Sequence, residues 1–185
     1  MYQVSQERMR VQKRSGEYEE VSFDKILNRI KALSQGSEFN HKLDIDETII
    51  AQKVIQQVHD GVKTSELDEL ASQTTIAMYS KNPDFKVLAS RIVVSNHHKN
   101  TLNTFSDKIQ LMYDYELNGK NKPLIADYLY ELVMCHKKKI DTAIDYSKDY
   151  DFDFFGHKTL EKSYLYRLGK DIIERPQDML MRVSL

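Results

Sequence analysis

The chain has 185 residues, 41% hydrophobic and 30% charged, and its 27 Lys+Arg against 28 Asp+Glu leave a formal net charge of −1. This is enough for one packed domain or two small ones, and the balance excludes the broad basic field that drives nonspecific nucleic-acid binding. A single cysteine excludes an internal disulfide framework and fits a reducing, cytoplasmic setting, no apolar run approaches the roughly 18 residues of a membrane span, and MYQVSQERMRVQKR lacks an apolar signal core.

Only 6 Gly and 3 Pro favour helices over a turn-rich β architecture. Arg10–Arg14 and Tyr18–Ser22 flank Ser15-Gly16-Glu17, which predicts a β-hairpin. Phe23, Ile26, Leu27, Ile30 and Leu33 then form a helical stripe that Gly36 closes. Ile50, Val54 and Val58 mark a second helix ending near Gly61. Leu67, Leu70, Ala71, Thr74, Ala77 and Met78 mark a third, stopped by Asn82-Pro83. Phe85, Leu88, Ala89 and Ile92 begin a fourth, with Asp84 placed as its cap. Beyond a boundary near Thr101–Ser106, Ser106 caps a helix through Tyr115 that Asn118-Gly119 breaks. Pro123 opens a longer helix through Leu124, Tyr128, Leu132 and Val133. Tyr150, Phe152 and Phe154 alternate with Asp149, Asp151 and Asp153, the pattern of an extended segment. A helix over Thr159–Tyr164, a hairpin turning at Gly169-Lys170 and a helix start at Arg175-Pro176 complete the reading.

No GxxxxGK[ST] and no GxGxxG occurs, so a P-loop or Rossmann phosphate site is excluded at the level of motif. An anion would have to be met by side chains and free helix amides. Lys13 and Arg14 sit on the first hairpin strand, and Lys25 lies in the first turn of helix one. Lys99 falls fourteen residues after Phe85, so helical rotation returns it, like Asn96, close to the buried stripe. From spacing alone, Thr64 reads as an N-cap, Ser65 with Asp68 as a capping box, and Lys99 as a lysine at a helix end with its stem on apolar surface. No two histidines have HxxxH or HxxH spacing, and no metal site is expected.

Three segments in order, VQKRSGEYEEVSFDK (Val11–Lys25), GVKTSELDELA (Gly61–Ala71) and RIVVSNHHK (Arg91–Lys99), resemble the ATP-cone, the nucleotide-sensing domain at the front of ribonucleotide reductase large subunits. FFGHKTLEKSYLYR (Phe154–Arg167) and ERPQDMLMRVS (Glu174–Ser184) resemble the lead-in to the barrel of class I large subunits of the eukaryotic and large-DNA-virus type. A bacterial repressor also carries the domain, but it needs a four-cysteine zinc module that one cysteine cannot supply. His97 stands where relatives often have an apolar residue. The resemblance implies a mostly helical α+β protein: an extension over 1–9, an ATP-cone with its hairpin on four helices over 10–103, and over 104–185 the helical lead-in to the reductase barrel. It assigns ATP or dATP binding, with magnesium accompanying the nucleotide, to Lys13, Arg14, Glu19, Glu20, Val21, Ser22, Phe23, Asp24, Lys25, Thr64, Asp68 and Lys99. Thr64 and Asp68 would face the sugar and base, and Lys13, Arg14 and Lys99 the phosphates.

The implied function is control of ribonucleoside-diphosphate reduction, an oxidoreductase activity, with the rest of the large subunit, a radical-generating small subunit and further large subunits as partners. No nucleic acid or membrane is expected among them. The catalytic residues of the family, at least three cysteines among them, are not in this sequence, so no catalytic residue is assigned and the chain alone is expected to be inactive. Cys135, between Met134 and His136, reads as a buried or semi-buried thiol, and Phe154, Leu160, Tyr164 and Leu165 read as core. The chain is expected to be the N-terminal part of a larger enzyme or a truncated or split product. The alternative is a free-standing, non-catalytic adenine-nucleotide sensor acting through a protein partner, which a downstream reading frame carrying the missing cysteines would rule out.

Overall fold

The structure, a computed structural model, describes residues 9–36, 39 and 41–185. The N-terminal extension expected over 1–9 lies outside the described residues except for Met9. Two compact units divide between Asn96 and His97, inside a helix that continues from one to the other.

In the first unit, strands β1 (Arg10–Gln12) and β2 (Tyr18–Glu20) form the expected hairpin, with Val11 opposite Glu19. Gly16, at φ +87°, turns the chain, and the Lys13 amide donates to the Glu17 carbonyl at 2.8 Å. Lys13 and Arg14 are therefore in the connecting turn, beyond the last residue of β1. A two-residue strand, β3 (Val62–Lys63), runs parallel to β1 on its other side, giving the order β2-β1-β3. Two residues are too few to show a periodicity, and the sequence reading had no strand there.

Four helices follow the hairpin in chain order: α1 (Phe23–Gln35), α2 (Glu47–Ile55), α3 (Thr64–Ile76) and α4 (Asp84–Asn100). Helix α2 stops six residues short of Gly61, and Val58 is buried from the loop, against Val11 and Val62 under the sheet. Ile30, Leu33, Ile50, Val54, Ala71, Met78, Phe85, Leu88 and Ile92 make the main core, with Phe23, Leu67 and Leu70 partly buried against it. Ile50, Val54 and Leu88 are fully buried, and each such side chain contributes about 1.5–3 kcal/mol relative to exposure. Ala77, placed in the stripe by the sequence, is exposed just past the end of α3. Asp84 does not cap α4. Its own amide donates to Asn82 Oδ1 at 2.9 Å, and its carboxylate accepts from the Asp44 amide at 2.8 Å.

The second unit holds α5 (Phe105–Tyr113), α6 (Asp127–Cys135), α7 (Lys137–Ala143), α8 (Phe154–Ser163) and α9 (Pro176–Ser184). Thr104 caps α5, while Ser106 is buried and donates to Asp141 at 2.6 Å. Asn118 and Gly119, both at positive φ, turn a small hairpin of β4 (Glu116–Leu117) and β5 (Lys120–Asn121), and Pro123 lies outside α6. The run Asp149–Phe154 is not extended. Tyr146–Asp151 form a 3₁₀ helix capped by Asp145, and Asp153 caps α8 through the Gly156 amide, so local side-chain bonds outweigh the alternation. The hairpin at Gly169-Lys170 forms from β6 (Arg167–Leu168) and β7 (Asp171–Ile172). Phe105, Ile109, Leu129, Val133 and Ile140 form the apolar core, with Met181 packed against it. Phe154 and Leu165 are buried and Leu160 half-buried, but Tyr164 is 62% exposed. Cys135, at the end of α6, is exposed and not the buried thiol expected.

Candidate functional site

The parallel β1–β3 pair brings the hairpin turn beside the start of α3, and a cleft of about 240 Å³ opens between them. Its described lining is Gln12, Lys13, Arg14, Gly16, Lys63, Thr64 and Ser65: three cations and no carboxylate. The α3 amides add positive potential at the same place, since the first turn of a helix has N–H groups without intrahelical acceptors. Neither Thr64 nor Ser65 is the cap. The Lys63 amide donates to Glu66 Oε2 at 3.1 Å, which closes the helix start and leaves Thr64 as its first residue. Lysine is not a capping residue type, so the sequence could not show this.

Arg14 organises one wall. Its guanidinium donates to Asn96 Oδ1 at 2.6 Å and to Thr64 Oγ1 at 3.4 Å, and lies 3.5 Å from Asp68 Oδ2. Asn96 in turn donates from Nδ2 to the Ser65 carbonyl at 3.1 Å. Asp68, 8% exposed, also receives Arg29 through Nε at 3.3 Å and Nη2 at 3.4 Å, and Arg29 reaches Ser95 Oγ at 2.8 Å. Asp68 is thus the shared counter-charge of two arginines and takes no part in a cap. On the other side, Lys13 pairs with Glu19 at 2.7 Å, and Lys25 pairs with the same carboxylate. Ser22 accepts from the Lys25 amide at 3.4 Å and caps α1, so Phe23, Asp24 and Lys25 form its first turn.

The structure therefore joins Lys13, Arg14 and Thr64 around one cleft, with Asp68 linked to it through Arg14, and Glu19 and Lys25 through Lys13. Glu20 is exposed at the end of β2, and Val21 packs against Val11, Val58 and Val62. Of the two positions returned to the helical stripe of α4, Asn96 is buried, but Lys99 is exposed in the last turn. Lys63, Arg29, Gln12 and Ser65 were missed. Arg29, six residues into α1, carries no local signal of its long-range partner.

A second polar group lies within the second unit. His97 Nδ1 is 2.9 Å from His157 Nε2, and Glu161 Oε1 lies 3.5 Å from each. Histidine spacing gave no sign of it, because 60 residues separate the pair.

Residues 9–100 match the ATP cone domain, and residues 150–185 match the all-alpha domain of ribonucleotide reductase. The ribonucleoside-diphosphate reductase large subunit of Dictyostelium discoideum is 46% identical over 181 residues, covering 96% of this chain and 21% of that protein. The large subunit of Arabidopsis thaliana is 47% identical over 180 residues and the large chain of Schizosaccharomyces pombe 46% over 179, each covering 96% of this chain and 22% of the relative. The first unit thus carries an ATP-cone, a nucleotide-binding regulatory domain. The chain belongs to the family of class I ribonucleotide reductase large subunits of the eukaryotic type, matching their N-terminal region, and it spans about a fifth of the length of the curated relatives it matches. Among the described residues, no helix is long and apolar enough to cross a membrane.

Proposed function

We propose that the cleft between the hairpin turn and the start of α3 receives the phosphates of ATP or dATP, and that the chain is the N-terminal regulatory part of a ribonucleoside-diphosphate reductase large subunit. The observation that carries this reading is the convergence of Lys13, Arg14 and Lys63 with the first amides of α3 around a cleft whose described lining has no carboxylate. A polyphosphate needs this combination of charge-assisted donors and a helix start. The volume of about 240 Å³ lies below the roughly 300–1,000 Å³ usual for a whole small-molecule site, so the cleft suits the phosphates, with sugar and base toward Thr64 and Asp68. A magnesium ion arriving with the nucleotide would find no carboxylate in that lining and would be held by phosphate and water. Lys99, assigned to the phosphates by the resemblance, remains part of the proposed set.

Glu19 supplies the mechanism of readiness. It holds Lys13 and Lys25 near the cleft without phosphate, and an incoming nucleotide takes Lys13 over from it. The output of binding is control of ribonucleoside-diphosphate reduction, in the cytoplasm, by an assembly of large subunits with a radical-generating small subunit. The exposed apolar side chains of the second unit, Phe155, Leu180 and Val183, support a continuation of the large subunit over them. Calorimetric titration of ATP into the chain tests the binding claim. Lys13→Ala and Lys63→Ala should each weaken binding by roughly ten- to a hundred-fold, as expected for a charge-assisted contact worth about 1.5–3 kcal/mol. Unchanged affinity in both variants would remove the cleft from the account.

A further inference from the structure

His97 near the end of α4 and His157 and Glu161 one turn apart on α8 meet inside the second unit, with both imidazoles buried and the carboxylate half-buried. His97 Nε2 lies 2.8 Å from the backbone carbonyl of Glu174, which can only accept, so the proton of a neutral His97 is on Nε2. Its Nδ1 therefore presents a lone pair to His157 Nε2 at 2.9 Å and to Glu161 Oε1 at 3.5 Å. The only proton available between them is the one on His157 Nε2, and two acceptors share it. Lys158 meets the other carboxylate oxygen, Oε2, at 2.9 Å.

We propose that His97 Nδ1, His157 Nε2 and Glu161 Oε1 form a three-ligand site for a divalent transition ion, zinc by preference. Two imidazoles and one carboxylate are a zinc donor set, with the fourth position left for water. The distances agree with it. A triangle with sides of 2.9, 3.5 and 3.5 Å has its centre about 1.9 Å from each corner, so an ion at the usual ~2.0–2.1 Å from all three sits just off the plane of the ligands, as a tetrahedral site requires. The outer contacts are also those of a metal site. The Glu174 carbonyl fixes the His97 tautomer that frees Nδ1, and Lys158 anchors the second carboxylate oxygen. His157 Nδ1 is buried without a hydrogen-bond partner among the described residues, so when an ion takes the Nε2 lone pair the proton moves to Nδ1 as a buried N–H without an acceptor, a cost the metal–ligand bonds must exceed. The ion would cross-link the end of α4 to α8.

The full chain, freed of metal by a chelator and dialysed, is titrated with cobalt(II) and then with zinc(II), with circular dichroism confirming the fold. The expected result is one ion per chain, the visible d–d bands of four-coordinate cobalt, their loss on zinc addition, and a higher melting temperature. His157→Phe and His97→Leu, which substitute apolar groups of similar size, should abolish uptake. Glu161→Gln keeps the shape of the side chain and should weaken binding at least ~10-fold, and it decides the matter if the histidine variants do not fold. Folded wild-type chain that takes up neither ion, or an ion bound equally well by Glu161→Gln, overturns the proposal.

Discussion

Asp68→Asn is the most informative single change in the first unit, because it removes a counter-charge that Arg14 and Arg29 share. The three contacts lie between 3.3 and 3.5 Å, and the Arg29, Arg14 and Asp68 side chains are 26%, 31% and 10% exposed. Unit charges at this range attract by about 5 kcal/mol per pair at an effective dielectric of 20, but desolvation, screening at the half-exposed arginines and their mutual repulsion offset most of it. The expected loss is about 1–3 kcal/mol, above the 0–1 kcal/mol of an exposed pair and below the 3–5 kcal/mol of a fully buried one. For a chain of this size that lowers Tm by roughly 3–10 °C, read by circular dichroism at low salt. A double-mutant cycle with Arg29→Met should give a coupling energy of about 1 kcal/mol or more. In the same variant the proposed assignment of Asp68 to the sugar and base side predicts a shift in the preference between ATP and dATP. A coupling near zero would refute the shared-counter-charge reasoning, and an unchanged preference would remove Asp68 from the nucleotide.

Other consequences are accessible to the same methods. Glu19→Gln should tighten ATP binding about two- to five-fold in calorimetry, because it removes a competitor for Lys13 whose exposed pair is worth up to ~1 kcal/mol, and weaker binding would show that Glu19 itself touches the ligand. Lys108 and Asp178 form a fully buried pair at 2.5 Å, to which Tyr146 also donates. Lys108→Met should therefore destabilise the chain by about 3–5 kcal/mol in urea unfolding, and a loss under 1 kcal/mol would contradict the reading. Burial pushes the Glu47 carboxyl up, but hydrogen bonds from Ser34 and Gln35 outweigh it and hold the group below its ordinary 4.5. Its stabilising contribution is then complete above about pH 4.5 and is lost as pH falls through the lower folded-state value, so Glu47→Gln should flatten that part of the acid unfolding curve. An unchanged curve would show that Glu47 titrates alike in both states.

The helices of the first unit were legible because Phe23 to Leu33 and Phe85 to Ile92 repeat with the helical period and bury what they repeat. The hairpin was legible from the glycine turn. The aspartates from 149 to 153 misled because alternation is only one use of such residues, and here Asp153, together with the nearby Asp145, holds helix starts. The candidate site was legible through resemblance, not periodicity: Lys13, Arg14, Thr64 and Asp68 were named by motif. The contacts of Arg14 and Asp68 involve partners such as Asn96 and Arg29, brought close by tertiary packing. Lys63 and the His97–His157 pair had no local pattern at all. Each is defined by a neighbour from a distant segment, through a two-residue parallel strand in one case and a contact across 60 residues in the other.

The central claim is that a nucleotide binds with its phosphates at the hairpin turn and the start of α3. Backbone amide NMR of the isotopically labelled chain, titrated with ATP, tests it most directly. The account expects saturable shifts concentrated at Lys13–Gly16 and Lys63–Ser65, with Lys25 moving as Glu19 releases it. No saturable change, or saturable changes confined to residues away from these two segments, would contradict it.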